Sequence, residues 1–148
     1  MAKKQVQKPN KRTTPIWLWV GLALALVVVV VLVLTNGAGK NGAALPKEIS
    51  VAQAVEMRSA GAFILDVREP SEWQQGHIPG ATLIPLGELA SLASELPQDQ
   101  KIVVVCRSGN RSAQGRDILL EAGFKNVTSM TGGMNQWQAA GLEMISGK

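Results

Sequence analysis

The chain has 148 residues, among them fifteen Lys and Arg, eleven Asp and Glu, one His and one Cys. A single cysteine excludes an internal disulfide and a cysteine-based zinc site, and a lone histidine excludes a histidine metal cluster. The formal charge of +4 belongs to one end: residues 1–45 carry six basic and no acidic side chains, whereas 46–148 carry nine basic against eleven acidic, a net −2. The C-terminal portion therefore offers no basic face for nucleic acid, and no nucleic-acid partner is expected.

Residues 1–15 form a basic tail containing Lys3, Lys4, Lys8, Lys11 and Arg12. The next nineteen residues, Ile16 to Leu34, contain no charged side chain. At 1.5 Å per residue they make about 28 Å of helix, close to the roughly 30 Å hydrocarbon core of a bilayer. In lipid the backbone must satisfy its own hydrogen bonds, so a transmembrane helix is expected despite the valines. Trp17 and Trp19 sit at one end, where indole rings favour the interface. The excess of basic residues before the span predicts an N-terminus in the cytoplasm and a C-terminal domain outside it, as a single-pass cell-membrane protein in contact with the lipid bilayer. A cleaved signal peptide competes, with small-residue sites at Gly37-Ala38-Gly39 or Gly42-Ala43-Ala44. The apolar stretch exceeds the roughly 7–15 residues of a signal core, which favours an uncleaved anchor. Residues 35–45, TNGAGKNGAAL, read as a flexible linker.

From residue 46 to 148 short apolar runs alternate with helical patterns. Ser50 and Gln53 form a capping box ahead of Val51, Ala54, Val55 and Met57, predicting a short helix. Ala62 to Leu65 is a strand candidate ending at Asp66, and Ala81 to Ile84 is another, closed by Pro85. Leu86, Leu89, Ala93 and Leu96 recur at helical spacing before the Pro97-Gln98-Asp99 turn. Lys101 to Val105 is continuous and β-branched, as expected of a parallel strand buried on both faces. Gly115, Ile118, Leu119 and Ala122 form one helical stripe stopped at Gly123. A glycine there costs about 1 kcal/mol relative to alanine, which predicts close packing at Gly115. Val127 to Met130 is a last strand, and Met134, Trp137 and Gln138 lie in a helix stopped by Gly141. The alternation predicts an open α/β sheet covered by helices on both sides.

Cys106 ends the best strand, and sites in such sheets form beyond the strands' carboxyl ends. Arg107, Ser108, Gly109 and Asn110 then lead into a helix expected to begin near Arg111 or Ser112. A short loop of small residues can turn successive N–H groups inward as an anion nest, and the helix N-terminus adds further unsatisfied donors. With Arg107 and Arg111 nearby, the setting favours a sulfur anion, so a reactive thiolate is preferred over a buried structural thiol. No general base is needed. His77, in a Gly76-to-Gly80 turn, reads as a hydrogen-bonded structural imidazole, with a general-base role as the alternative. Glu69 and Glu72 read as helix-start charges, and Trp73 and Trp137 as packing residues.

The segment Cys106-Arg107-Ser108-Gly109-Asn110-Arg111-Ser112 resembles the active-site loop of single-domain rhodaneses, sulfurtransferases that carry sulfur as a cysteine persulfide. Asp66-Val67-Arg68-Glu69-Pro70-Ser71-Glu72-Trp73 and the following Gly76-His77-Ile78-Pro79-Gly80-Ala81 are similar to a second signature of that family. Gly132-Gly133-Met134-Asn135-Gln136-Trp137 resembles its C-terminal helix. The resemblance implies a rhodanese-like five-stranded parallel sheet flanked by helices, with Cys106 as nucleophile and Asp66 and Arg68 as loop-bracing groups. It also implies that the six-residue loop from Cys106 to Arg111 serves sulfur transfer, whereas one residue more would make room for phosphate or arsenate. The expected donor is a small sulfur-containing anion such as thiosulfate, and the acceptor is an unidentified thiol or protein. No metal or other cofactor is expected beyond the covalent persulfide. A redox-sensing or binding module without turnover is the alternative, and a phosphatase or arsenate reductase a third. Whether Arg111 meets the substrate or turns inward to brace the loop stays open at this level.

Overall fold

The structure, a computed structural model, describes residues 44–147. The proposed span at 16–34, the basic tail and nearly all of the 35–45 linker lie outside the described residues. Among the described residues no helix is long and apolar enough to cross a membrane.

The elements follow in the order β1 (Glu48–Ile49), α1 (Val51–Ser59), β2 (Phe63–Asp66), α2 (Pro70–Gln75), β3 (Thr82–Leu83) and α3 (Leu86–Leu92). A 3₁₀ turn (Ala93–Glu95), β4 (Ile102–Val105), α4 (Asn110–Glu121), β5 (Val127–Met130) and α5 (Gly133–Ala139) complete the fold. The strands make one five-stranded sheet in the order β1-β5-β4-β2-β3. Every pairing is parallel. The expected α/β architecture, five parallel strands flanked by helices, is thus present in the described residues.

Local chemistry accounts for the elements. Ser50 caps α1, its hydroxyl accepting from the Gln53 N–H at 3.3 Å while the Gln53 side chain accepts from the Ser50 N–H at 2.9 Å. Such a box satisfies two of the helix's orphan donors. Strand β4 is buried along its whole length, with Ile102 to Val105 all fully inaccessible. Its side chains alternate between two cores. Ile102, Val104 and Cys106 pack with Leu89 and Leu119 under α3 and α4, whereas Val103 and Val105 pack with Met134 and Trp137 under α5. At about 1.5–3 kcal/mol per large buried aliphatic side chain, this strand is the main hydrophobic anchor of the sheet.

Gly115 is where α4 meets β4. A methyl group there would stand 3.1 Å from Val104 Cγ1 and 3.3 Å from both Leu89 Cδ2 and Val67 Cγ1. The glycine weakens the helix and lets it lie close to the sheet, as its place in the stripe suggests.

Strands β2, β3 and β4 shift by one residue at one or both ends from the sequence reading, and three elements differ for a physical reason. The apolar run after Pro85 is an α-helix only to Leu92 and then tightens into the 3₁₀ turn. Helix α4 starts at Asn110, ahead of the expected Arg111 or Ser112, because Gly109 takes the left-handed conformation (φ 111°) that ends the loop. Strand β1 has no apolar run to announce it. Its two residues are fixed by pairing with Ser129 and Met130 of β5.

Candidate active site

In the order β5-β4-β2-β3 the chain leaves β2 toward β3 and β4 toward β5, on opposite sides, so a crevice opens beyond the carboxyl ends of β2 and β4. Cys106 is the first residue past that end and is 1 % exposed. Its Sγ accepts a hydrogen bond from the Gly109 N–H at 3.1 Å, and its thiol lies 3.6 Å from the Ser112 hydroxyl. That hydroxyl donates to the Gly109 carbonyl at 2.8 Å. Cys106, Gly109 and Ser112 therefore form a closed ring at the foot of the loop, while Arg107, Ser108 and Asn110 face solvent.

The loop is held from behind by α5. The Met134 N–H donates to the Cys106 carbonyl at 2.8 Å and the Asn135 N–H to the Arg107 carbonyl at 3.0 Å. In a trans peptide the N–H points opposite to the C=O. Fixing these two carbonyls on α5 turns the N–H groups of Arg107 and Ser108 away from it. Gly133 makes the approach possible: with φ 57°, a Cβ there would collide with the Cys106 carbonyl and the Arg107 peptide.

The two loop arginines have different surroundings. Arg111 forms a bidentate pair with Glu72 of α2, at 2.7 and 2.8 Å, and so turns to brace the loop. The hydrogen bond from Arg111 lowers the Glu72 carboxyl below its ordinary value. Burial opposes this, and the Glu69 N–H and the charges of Arg111 and Arg68 add to it. In return, Glu72 raises Arg111 above its own ordinary value. Among the described residues Arg107 has no acidic partner within salt-bridge distance.

Asp66 and Arg68 form a second brace. Asp66 is fully buried beside Val105 and receives Arg68 Nε at 2.9 Å and Nη2 at 2.6 Å. The Arg68 guanidinium also donates to the Glu72 carbonyl at 3.3 Å and the Gly76 carbonyl at 2.8 Å. A buried pair with its remaining donors occupied in this way fixes geometry more than it adds stability. His77 is 3 % exposed, its Nδ1 lies 3.1 Å from the Trp73 carbonyl, and its ring stacks on Trp73 at 3.5 Å. It belongs to the turn and is not part of the hydrogen-bonded ring around Cys106.

Sequence reasoning missed three contributors. Glu72 precedes Arg111 by 39 positions, and spacing alone does not pair them. The α5 N–H groups that receive the loop carbonyls are backbone atoms and leave no residue-type signal beyond the Gly132-Gly133 pair. Arg116 is 7 % exposed and ties α4 to the sheet edge through the Lys47 carbonyl at 3.1 Å and Ser129 Oγ at 3.2 Å. Among the described residues no group of three His, Cys, Asp or Glu side chains is placed to hold a metal ion.

Comparison with known proteins gives the family of the fold that carries this site. Residues 50–140 match the rhodanese-like domain family. The chain belongs to that family. It is 38% identical over 100 residues to a thiosulfate sulfurtransferase of Pseudoalteromonas translucida, covering 67% of this chain and 95% of that one. A sulfurtransferase of Allochromatium vinosum is 36% identical over 84 residues, covering 57% of this chain and 78% of its own. The crystal structure of a rhodanese-related protein from Thermoplasma volcanium superposes with a TM-score of 0.63 at 34% identity, covering 68% of this chain and 98% of that one. The expectation of a rhodanese-type sulfurtransferase is borne out at this level.

Proposed function

We propose that the domain moves sulfane sulfur from thiosulfate to a thiophilic acceptor through a persulfide on Cys106. The observation that carries this reading is the seat of Sγ. It lies at the end of β4, under the Gly109 N–H, inside a loop whose peptides are oriented by α5. The Cys106 thiolate attacks the outer sulfur of thiosulfate. A bond forms from Sγ to that sulfur, the old S–S bond breaks, and its electron pair leaves with sulfite. The persulfide anion extends from Sγ toward the N–H groups of Arg107 and Ser108, which the α5 contacts leave free of the loop carbonyls. Ser112 adapts to both states: its hydroxyl accepts from a neutral thiol and, rotated about Cβ–Oγ, donates to an anion. An acceptor then removes the outer sulfur and returns Cys106 as a thiolate. Two half-reactions of this kind give ping-pong kinetics. Arg111, neutralised by Glu72, braces the loop, and Arg107, which has no ion-pair partner among the described residues, attracts an anionic donor.

The test is thiosulfate:cyanide transfer by the full-length protein, with mass analysis of Cys106 after thiosulfate alone. One added sulfur and multiple turnovers are expected, with both lost in Cys106→Ser. Activity persisting in that variant would refute the assignment. A sensing or binding module without turnover predicts loading with no steady-state release, so the same assay separates it.

The membrane address belongs to the proposal as well. It rests on the apolar length of 16–34 and on the five basic residues before it. Together they assign an N-terminus in the cytoplasm and a sulfurtransferase domain on the other side of the membrane.

A further inference from the structure

Helix α2 carries Glu72, the carboxylate that holds Arg111, yet it is only six residues long. A helix of that length does not hold itself in water, so its position is set by the groups bonded to its ends. Its last carbonyls are met from outside the helix. Arg68 Nη1 donates to the Glu72 carbonyl at 3.3 Å, the Gly147 N–H to that of Gln74 at 3.2 Å, and the Ser146 hydroxyl to that of Gln75 at 3.3 Å. The Trp73 carbonyl accepts from the Gly76 N–H at 3.0 Å and lies 3.1 Å from His77 Nδ1. A carbonyl oxygen only accepts, so Nδ1 is the donor in this contact. The same ring stacks on Trp73, with centroids 3.5 Å apart and planes 7° from parallel. The His77 backbone exchanges two hydrogen bonds with Ile145, at 2.9 and 3.0 Å. Two residues before Ile145, the Glu143 carbonyl accepts from Trp137 Nε1 of α5 at 3.0 Å. His77 is therefore the point where α2 meets the C-terminal segment, and through that segment α5, the helix that receives the loop carbonyls.

We propose that His77 is a positioning residue for the Cys106 loop, acting through Trp73 and Glu72 on Arg111. The path is short, because Trp73 follows Glu72 directly in the chain. A bidentate pair needs the carboxylate to meet the guanidinium fork squarely. A small rotation of α2 that tips Glu72 loses one of its two bonds to Arg111, at 2.7 and 2.8 Å. Arg111 is the second residue of α4, directly after the loop, so the loop's C-terminal end moves with it. The bond from His77 to the Trp73 carbonyl opposes that rotation. The assignment deepens the persulfide reading above and rests on it. It concerns the first half-reaction, in which the seat of Sγ must be shaped before thiosulfate arrives. In this role His77 exchanges no proton with Cys106 or with the donor.

The experiment uses the full-length protein and thiosulfate alone, and follows by mass the rate at which Cys106 gains one sulfur. His77→Phe keeps an aromatic ring against Trp73 and removes the donor. His77→Asn keeps an N–H donor close to the place of Nδ1 and removes the ring. His77→Phe and Glu72→Gln are each expected to slow loading about tenfold, through a misplaced loop. His77→Asn is expected to stay within about threefold of wild type, since it restores the bond that matters. The double variant, His77→Phe with Glu72→Gln, is expected to load within about twofold of the slower single variant, because both changes break one path. Independent effects would instead multiply to about a hundredfold, and that result would overturn the assignment. So would loading as slow in His77→Asn as in His77→Phe. A merely structural role would lower the urea midpoint of His77→Phe and leave the loading rate of the folded protein unchanged, which also overturns it. Should His77→Phe not fold, Glu72→Gln still decides, since wild-type loading in that variant breaks the path at its middle. Absence of sulfur on wild-type Cys106 would instead remove the persulfide reading on which the assignment depends.

Discussion

At the scale of single residues, the site's charges divide, among the described residues, into Arg107, which has no ion-pair partner, and several that are paired. Arg111 stands one loop-length from Cys106, yet its guanidinium is turned to Glu72 at 2.7 and 2.8 Å. Glu72 consequently links α2 to the loop, and its protonation state decides whether the link holds. The Arg111 hydrogen bond lowers its carboxyl below the ordinary value. A carboxyl lowered on folding contributes its stability in full above its unfolded pKa, about 4.3, and loses it as pH falls through the lower folded value. Glu72→Gln is therefore expected to cost about 1 kcal/mol at pH 7, the upper range for a partly exposed pair. The difference from wild type should shrink only below about pH 4.3. Urea unfolding of both proteins at neutral pH and through an acid series checks this. A difference that persists unchanged at the acid end would mean that Glu72 acts by packing and not by charge.

At the scale of elements, the loop depends on α5 as much as on the strand that carries it. The first turn of α5 takes the carbonyls of Cys106 and Arg107, and Gly133 is the residue that allows the contact. Gly133→Ala introduces a Cβ into the Cys106 carbonyl at a positive φ. It is expected to destabilise the domain by roughly 1–3 kcal/mol and to lower kcat/KM for thiosulfate at least tenfold. Gly123→Ala, also at positive φ but with open space around it, should destabilise with little change in kcat/KM. Equal kinetic losses in the two variants would show that strain alone, and not loop orientation, is responsible. The contrast also marks what could be read from sequence. Ile102–Val105 is legible to within one residue because a buried parallel strand is a continuous apolar run, and Val127–Met130 matches to the residue although Thr128 and Ser129 at its centre are polar. The close packing at Gly115 was legible because a glycine within an otherwise apolar stripe needs a reason. Strand β1 was not, since its two residues are set by their neighbour β5. The Glu72–Arg111 pair and the α5 contacts were also hidden, because they join segments far apart in sequence or use backbone atoms alone.

At the scale of the whole molecule, every group assigned to the site lies within residues 44–147. These include the Cys106 loop, the Asp66–Arg68 brace, Glu72 and the α5 turn. The chemistry should therefore be separable from the address. The portion from 46 onward has a net charge of −2, so it gains nothing from an anionic bilayer, and all membrane affinity is expected to reside before it. Leu120 and Ile145 are its two exposed large apolar side chains among the described residues, too few to make a lipid-binding face. Removing residues 1–43 is accordingly expected to release the protein from membranes while thiosulfate:cyanide turnover stays within about twofold of the full-length chain. Flotation with vesicles containing anionic lipid, followed by the transfer assay on both fractions, measures the two properties separately. If the shortened chain still floats, the domain itself carries a membrane surface and the charge argument fails. If it stays in solution but loses turnover, residues before 44 take part in the reaction. The expected result makes the N-terminal segment an address alone, with sulfur transfer carried entirely by the sheet, its loop and the helix behind it.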